Sequence, residues 1–148
     1  MTQSSTRPLF TLTSLVGNIN IHPFCRIFLI VTQEYKKGIH DGIDLVGIDS
    51  KNIHSTINGI VTFAGWENSN NQQQGFGKYI SIKKDNSNEV YYFGHLSEIY
   101  VKVNQKVKIT DVIGKEGSTG NSTGSHLHYC VRIDGIRGND LNISSISG

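Results

Sequence analysis

The chain has 148 residues, enough for one domain that buries a core of its own without metal or disulfide staples. With 14 Lys+Arg against 12 Asp+Glu the net charge is only +2, and no basic stripe with interleaved aromatics marks a nucleic-acid surface. No apolar run approaches the roughly 20 residues of a membrane span, so membrane insertion is not expected.

A single alanine, Ala64, stands against many Ile, Val, Thr, Tyr and Phe, and 16 glycines supply turns, a composition biased to an all-β chain with little helix. Residues 1–22 are rich in Ser, Thr and Asn without periodicity and are expected to form a leader or N-terminal extension. Residues 23–142 are expected to form the domain, and 143–148 a tail or the start of a linker. The apolar stretch Phe24 to Val31 is interrupted by Cys25 and Arg26 and lacks a basic n-region and cleavage site. It reads as a first strand, not a secretory signal.

Further strands are predicted at Gly59 to Ala64, Tyr79 to Ile82, Val90 to Phe93, Lys106 to Thr110, Val112 to Gly114 and His126 to Ile133. The polar stretch Lys83 to Glu89 joins two of them as a hairpin, and Asp134-Gly135 is a hairpin turn leading to Ile136. Two long loops, Glu67 to Gly77 and Gly117 to Ser125, are expected to wall a groove on a mainly antiparallel sheet.

The histidines carry the chemistry. Four of the six fall in three short motifs, His40-Asp41-Gly42-Ile43-Asp44, Phe93-Gly94-His95-Leu96 and His126-Leu127-His128. Catalytic zinc takes three protein ligands, mostly His nitrogens with a carboxylate, and keeps a fourth position open. On an extended strand His40 and Asp44 share a face, with Gly42 between them leaving room for an ion. By the same parity His126 and His128 share a face while Leu127 turns to a core. A helix is disfavoured, because Asp41, Gly42, Ile43 and Asp44 make a poor helix interior, which leaves a strand or a loop. The His-Glu-x-x-His signature is absent, which leaves His126 and His95 as candidates for a general base.

His22 and His54 have no partner at ligand spacing, and Asp41 and Asp49 read as solvated or turn residues. The glycines near Gly120 are not a phosphate loop, since no Lys-Ser/Thr follows Gly124. Tyr79, Tyr91 and Tyr92 read as hairpin packing residues. Cys25 and Cys130 have no Cys-x-x-Cys partner, which argues against a thiolate metal site and leaves a disulfide open.

Taken in order, His40 to Asp44, an aromatic strand ending in His95-Leu96, and Gly-Ser-Thr-Gly-Asn-Ser-Thr-Gly-Ser-His-Leu-His at Gly117 to His128 resemble the lysostaphin-type, or LytM-like, zinc endopeptidases. Gly59-Ile60-Val61, Gly75-Phe76-Gly77-Lys78-Tyr79-Ile80, Gln105 to Lys108 and Asp111 to Gly114 match further family segments, and Ile30-Val31-Thr32-Gln33-Glu34-Tyr35 leading into the His40 motif resembles phage lysis or tail-associated members. The resemblance implies that His40, Asp44 and His128 hold one Zn2+, while His95 and His126 stand beside the open position. His126 is then the preferred base and His95 a stabiliser of the oxyanion. It implies a cell-wall hydrolase cutting peptide bonds of peptidoglycan stem peptides or cross-bridges, acting as a monomer outside the cytoplasm. Delivery by a phage, release on lysis, or residence in a longer protein would each bring it there. The alternative is a non-catalytic member that binds wall, regulates an amidase or builds a phage particle; such members usually lose ligand positions, and all five are present here. One departure is Cys130, where the family often carries Glu. Parity puts Cys130 on the metal-facing side, so the surroundings of the ligands are expected to differ.

Overall fold

The computed structural model describes residues 29–33, 36–47 and 50–137, and among them every regular element is a β-strand. In chain order these are β1 (Leu29–Gln33), β2 (Ile43–Gly47), β3 (Asn52–His54), β4 (Gly59–Trp66), β5 (Lys78–Lys84) and β6 (Glu89–Gly94). They continue with β7 (Leu96–Ile99), β8 (Lys106–Val107), β9 (Val112–Glu116), β10 (Leu127–Ile133) and β11 (Ile136–Arg137). The leader and tail expected at the two ends, and most of the first apolar stretch, lie outside the described residues. No helix among the described residues is long and apolar enough to cross a membrane.

Two antiparallel sheets share one core. The larger runs β1-β2-β10-β6-β5-β4-β8, with β11 beside β10, and the smaller runs β3-β9-β7. Strand alternation divides the large sheet into two faces. Ile43 and Leu45 on β2, Ile80 and Ile82 on β5, Tyr91 and Phe93 on β6, and Leu127, Tyr129 and Val131 on β10 are buried. They pack with Ile53, Leu96 and Ile113 of the small sheet, and each such side chain taken from water contributes about 1.5–3 kcal/mol. The intervening residues of the same strands, Asp44, Gly94 and His128, therefore share the opposite face.

The predicted strands at 59–64, 79–82, 90–93 and 112–114 are present, and both hairpin turns form, with Asn86 and the Asp134-Gly135 pair at positive φ. Two expectations shift. The strand expected over Lys106 to Thr110 ends at Val107, because Thr110 takes a φ of 76° in a turn closed by Asp111 N–H donating to the Lys108 carbonyl. The strand expected to begin at His126 begins one residue later, and His126 pairs alone with Gly117.

Candidate metal centre and active site

His40 does not lie on a strand running into Asp44. It closes a tight turn in which Lys36 and His40 exchange both backbone hydrogen bonds, at 2.9 and 2.8 Å, with Gly38 at a φ of 78°. Asp44 follows on β2 and sits opposite His128 of β10 in the antiparallel register. The turn and the register together bring the three side chains to one point. His128 Nδ1 is 2.8 Å from Asp44 Oδ1, and His40 Nε2 is 3.1 Å from that oxygen and 3.2 Å from His128 Nδ1. Ligands on one tetrahedral zinc with bonds of about 2.0–2.1 Å stand roughly 3.3 Å apart, so this two-nitrogen, one-oxygen set fits the ion with small outward movements.

The electrostatics agree. Burial alone would raise the Asp44 carboxyl, but the hydrogen bonds from His128 and His40 hold it well below the usual carboxylate range. Burial likewise disfavours charge on His128, yet the carboxylates of Asp41 and Asp44 on its two nitrogens outweigh it and push the imidazole well above its ordinary range. Surroundings this negative are also what a divalent cation requires.

Asp41, read in the sequence as a solvated or turn residue, touches the centre. Its Oδ1 accepts from His128 Nε2 at 3.1 Å, which holds a hydrogen on that nitrogen and leaves Nδ1, the donor to Asp44, as the nitrogen that would give up its proton to a metal. Cys130, a free and buried thiol, lies in the same group with Asp41 and His128, their donor atoms within 4.8 Å of one another. Parity thus placed Cys130 correctly, and at this departure from the family pattern the carboxylate on His128 comes from Asp41. Gly42 does not make room for an ion. A Cβ there would stand 2.5 Å from the Tyr129 carbonyl and 2.8 Å from Cys130 Cβ, so its bareness lets the turn lie flush on β10. Asp41→Asn keeps an acceptor but loses the charge, and should weaken zinc binding by about 10- to 100-fold in a competition titration with a chelator.

His95 and His126 form the second half of the site, with ring centroids 4.7 Å apart. His95 stands where the chain leaves β6 of one sheet for β7 of the other, and its φ of 62° is a strained conformation for a non-glycine residue. Its N–H donates to the Phe76 carbonyl at 2.7 Å, and its Nδ1–H to the Thr119 carbonyl at 2.7 Å. Burial lowers its pKa to about 4, only partly opposed by the Thr119 carbonyl. His95 is therefore neutral near pH 7, with its one ring hydrogen on Nδ1 and a lone pair on Nε2. His126 is pinned in the same way, Nδ1 lying 2.8 Å from the Gly124 carbonyl, while its Nε2 is 3.7 Å from Asp44 Oδ2.

This neutral state has a measurable consequence. Between pH 6.5 and about 4 the unfolded chain binds a proton at residue 95 that the folded protein does not, so folding weakens as pH falls through that window and this residue has no effect above it. In chelator-stripped protein the His95 ring carbons should titrate near pH 4 by NMR; a midpoint near 6.5 would contradict the burial.

The two long loops do wall a groove, of about 650 Å³, lined by Glu67, Gly75 and Phe76 on one side and by Asn121 to Ser125 on the other, with all five sequence-chosen residues at its floor. Phe76 packs 5.5 Å from the His128 ring, seated over Gly94, where a Cβ would meet it at 3.0 Å. Beyond the floor, Phe63 stacks on Tyr79 and Phe76 on Tyr92, with Phe76 tilted against Tyr79 and Arg132 capping Tyr92, so Tyr79 and Tyr92 are packing residues as expected. Tyr91 packs on Tyr129 in the core. His54 bonds the Thr110 carbonyl at 3.0 Å and is not among the groove's lining residues. His22, Asp49 and Cys25 lie outside the described residues.

Residues 38–141 match the family model described as Peptidase family M23. The DD-carboxypeptidase/endopeptidase Mpg of Neisseria meningitidis serogroup B is 34% identical over 106 residues, covering 72% of this chain and 23% of that protein. Lysostaphin of Staphylococcus staphylolyticus is 38% identical over 95 residues, covering 62% of this chain and 18% of its own. The chain thus spans about a quarter or less of the length of these curated relatives. Among solved structures, the catalytic domain of lysostaphin from Staphylococcus simulans superposes with a TM-score of 0.63 at 27% identity, covering 78% of this chain and 87% of that one.

Proposed function

Because the chain belongs to peptidase family M23, we propose that it is a zinc endopeptidase that hydrolyses peptide bonds in the stem peptides or cross-bridges of bacterial peptidoglycan. The observation that carries the reading is the convergence of His40 Nε2, Asp44 Oδ1 and His128 Nδ1 within 2.8–3.2 Å of one another at the floor of a groove, beside two histidines that are not part of that triad. The names of the matched proteins, a DD-carboxypeptidase/endopeptidase and lysostaphin, support the substrate class. Non-catalytic members usually lose ligand positions, and all five residues are present here.

His40, Asp44 and His128 hold the ion, which when bound lowers the pKa of water to about 7 and polarises the scissile carbonyl. The remaining steps belong to the protein. With the ion bound, Asp41 would keep the His128 hydrogen on Nε2 and so leave the Nδ1 lone pair for the metal. His95, whose hydrogen is committed to Thr119, has no N–H to give an oxyanion while neutral. In this proposal its Nε2 accepts a hydrogen bond from the attacking water and orients it, in place of the oxyanion role that the family resemblance implied. His126 takes the proton at Nε2, where the Asp44 carboxylate 3.7 Å away stabilises the imidazolium, and returns it to the leaving amine. The groove walls of Phe76 and of Asn121 to Ser125 hold the peptide extended across the floor.

The test is digestion of purified peptidoglycan by the zinc-loaded protein. New amino and carboxyl termini within the peptides support the proposal, and intact wall in the presence of bound zinc refutes it.

A further inference from the structure

The catalytic steps above leave one buried carboxylate unused. Glu116, the last residue of β9, has a side chain with no exposed surface and satisfies both its oxygens from three directions. Its Oε2 accepts from the Gly47 N–H at the end of β2 at 3.0 Å, and its Oε1 accepts from Lys51 Nζ at 3.1 Å and from the Ser125 hydroxyl at 2.5 Å. A charge buried to this extent costs stability unless it is paired and bonded, and polar neighbours here meet that requirement. Hydrophobic residues at this place would close the sheet as well, so the carboxylate's distinctive effect is in what it connects.

It connects the two halves of the site. Gly47 ends the strand that carries Asp44, and Ser125 immediately precedes His126. The next residue, Gly117, receives the His126 N–H at 3.0 Å. Lys51 closes the arrangement by donating also to the Gly47 carbonyl at 3.0 Å. We infer that Glu116 is a positioning residue for His126, its carboxylate setting the distance between the end of the 117–125 loop and the strand of Asp44. The inference rests on the proposed role of His126.

His95 supplies an internal control, because its part of the loop has a separate anchor. The Thr119 carbonyl that holds His95 is itself held by the Thr119 hydroxyl, which donates to the Leu96 carbonyl at 2.8 Å and accepts the Lys78 N–H at 3.0 Å. Loss of the Glu116 contact should loosen His126 and leave His95 in place.

Ser125→Ala and Glu116→Gln test this in the zinc-loaded protein, the first being an exposed residue whose loss leaves the core untouched. In ¹H–¹⁵N imidazole spectra the His126 signals should shift or broaden while those of His95 stay. On peptidoglycan, kcat should fall by about 10- to 100-fold with zinc content little changed, and in Glu116→Gln, whose side chain does not line the groove, with KM little changed as well. Ser125→Thr, which restores the hydroxyl, should recover most of kcat. Parental His126 signals and parental kcat in Ser125→Ala would overturn the inference, as would equal disturbance of His95 and His126, which marks a general structural role. If the parent protein cuts no wall, the spectra alone decide: a selective His126 change upholds the pin while the peptidase proposal falls.

Discussion

His128→Ala should lose bound zinc and peptide hydrolysis together. His128 is the residue on which the centre depends most, since its Nδ1 meets both Asp44 and His40 while its Nε2 meets Asp41. Its removal leaves two carboxylates facing one imidazole and no third ligand. Because metal polarisation contributes several kcal/mol and each ~1.4 kcal/mol is tenfold in rate, turnover should fall by more than about 10³-fold. Metal analysis after gel filtration should give near one zinc per chain for the parent and almost none for the variant. A variant that keeps stoichiometric zinc would remove His128 from the ligand set.

His126→Ala and His95→Ala should show the opposite division, with zinc retained and turnover lost. Neither ring has a nitrogen inside the triangle of His40, Asp44 and His128, so the metal stays. General acid-base help is worth about 10²–10⁴ in rate, and a loss of that size in kcat is expected for His126→Ala. For His95→Ala the loss should be of similar order but accompanied by a warning in stability, because the residue holds a strained turn between the two sheets and bonds Phe76 and Thr119. His95→Gln, which retains a donor for the Thr119 carbonyl, separates the two effects. Cleavage by His95→Ala as fast as the parent would show that the residue serves the turn alone.

Much of this arrangement was legible in the chain because alternation is a local signal. Leu127 falls in the core between His126 and His128 by parity, and Ile80, Ile82, Tyr91 and Phe93 mark the core face of their strands in the same way. Strands that are short and polar carried no such signal. Asn52–His54 and Leu96–Ile99 pair with β9 to form the second sheet, and neither reads as a strand alone. The contacts of Asp41 and Glu116 were not legible, for a different reason. The Asp41 partner lies 87 residues away and the Glu116 partners Gly47 and Lys51 lie 69 and 65 away, so these carboxylates acquire a purpose only when β2, β9 and β10 meet. The approach of His40 to Asp44 depends on the turn closed by Lys36 and His40, which the alternation of a strand does not encode. The tautomers of His95 and His126 depend on carbonyls of the 117–125 loop, whose path no periodicity encodes.

Mass spectrometry of the fragments released from peptidoglycan of several cross-link types tests the proposed chemistry of the five groove residues most directly. The zinc-loaded protein should generate new amino and carboxyl termini inside stem peptides or cross-bridges, and His128→Ala should generate none. Release of reducing sugar ends, cleavage of the lactyl-amide bond, or no release from any wall with zinc bound would contradict it.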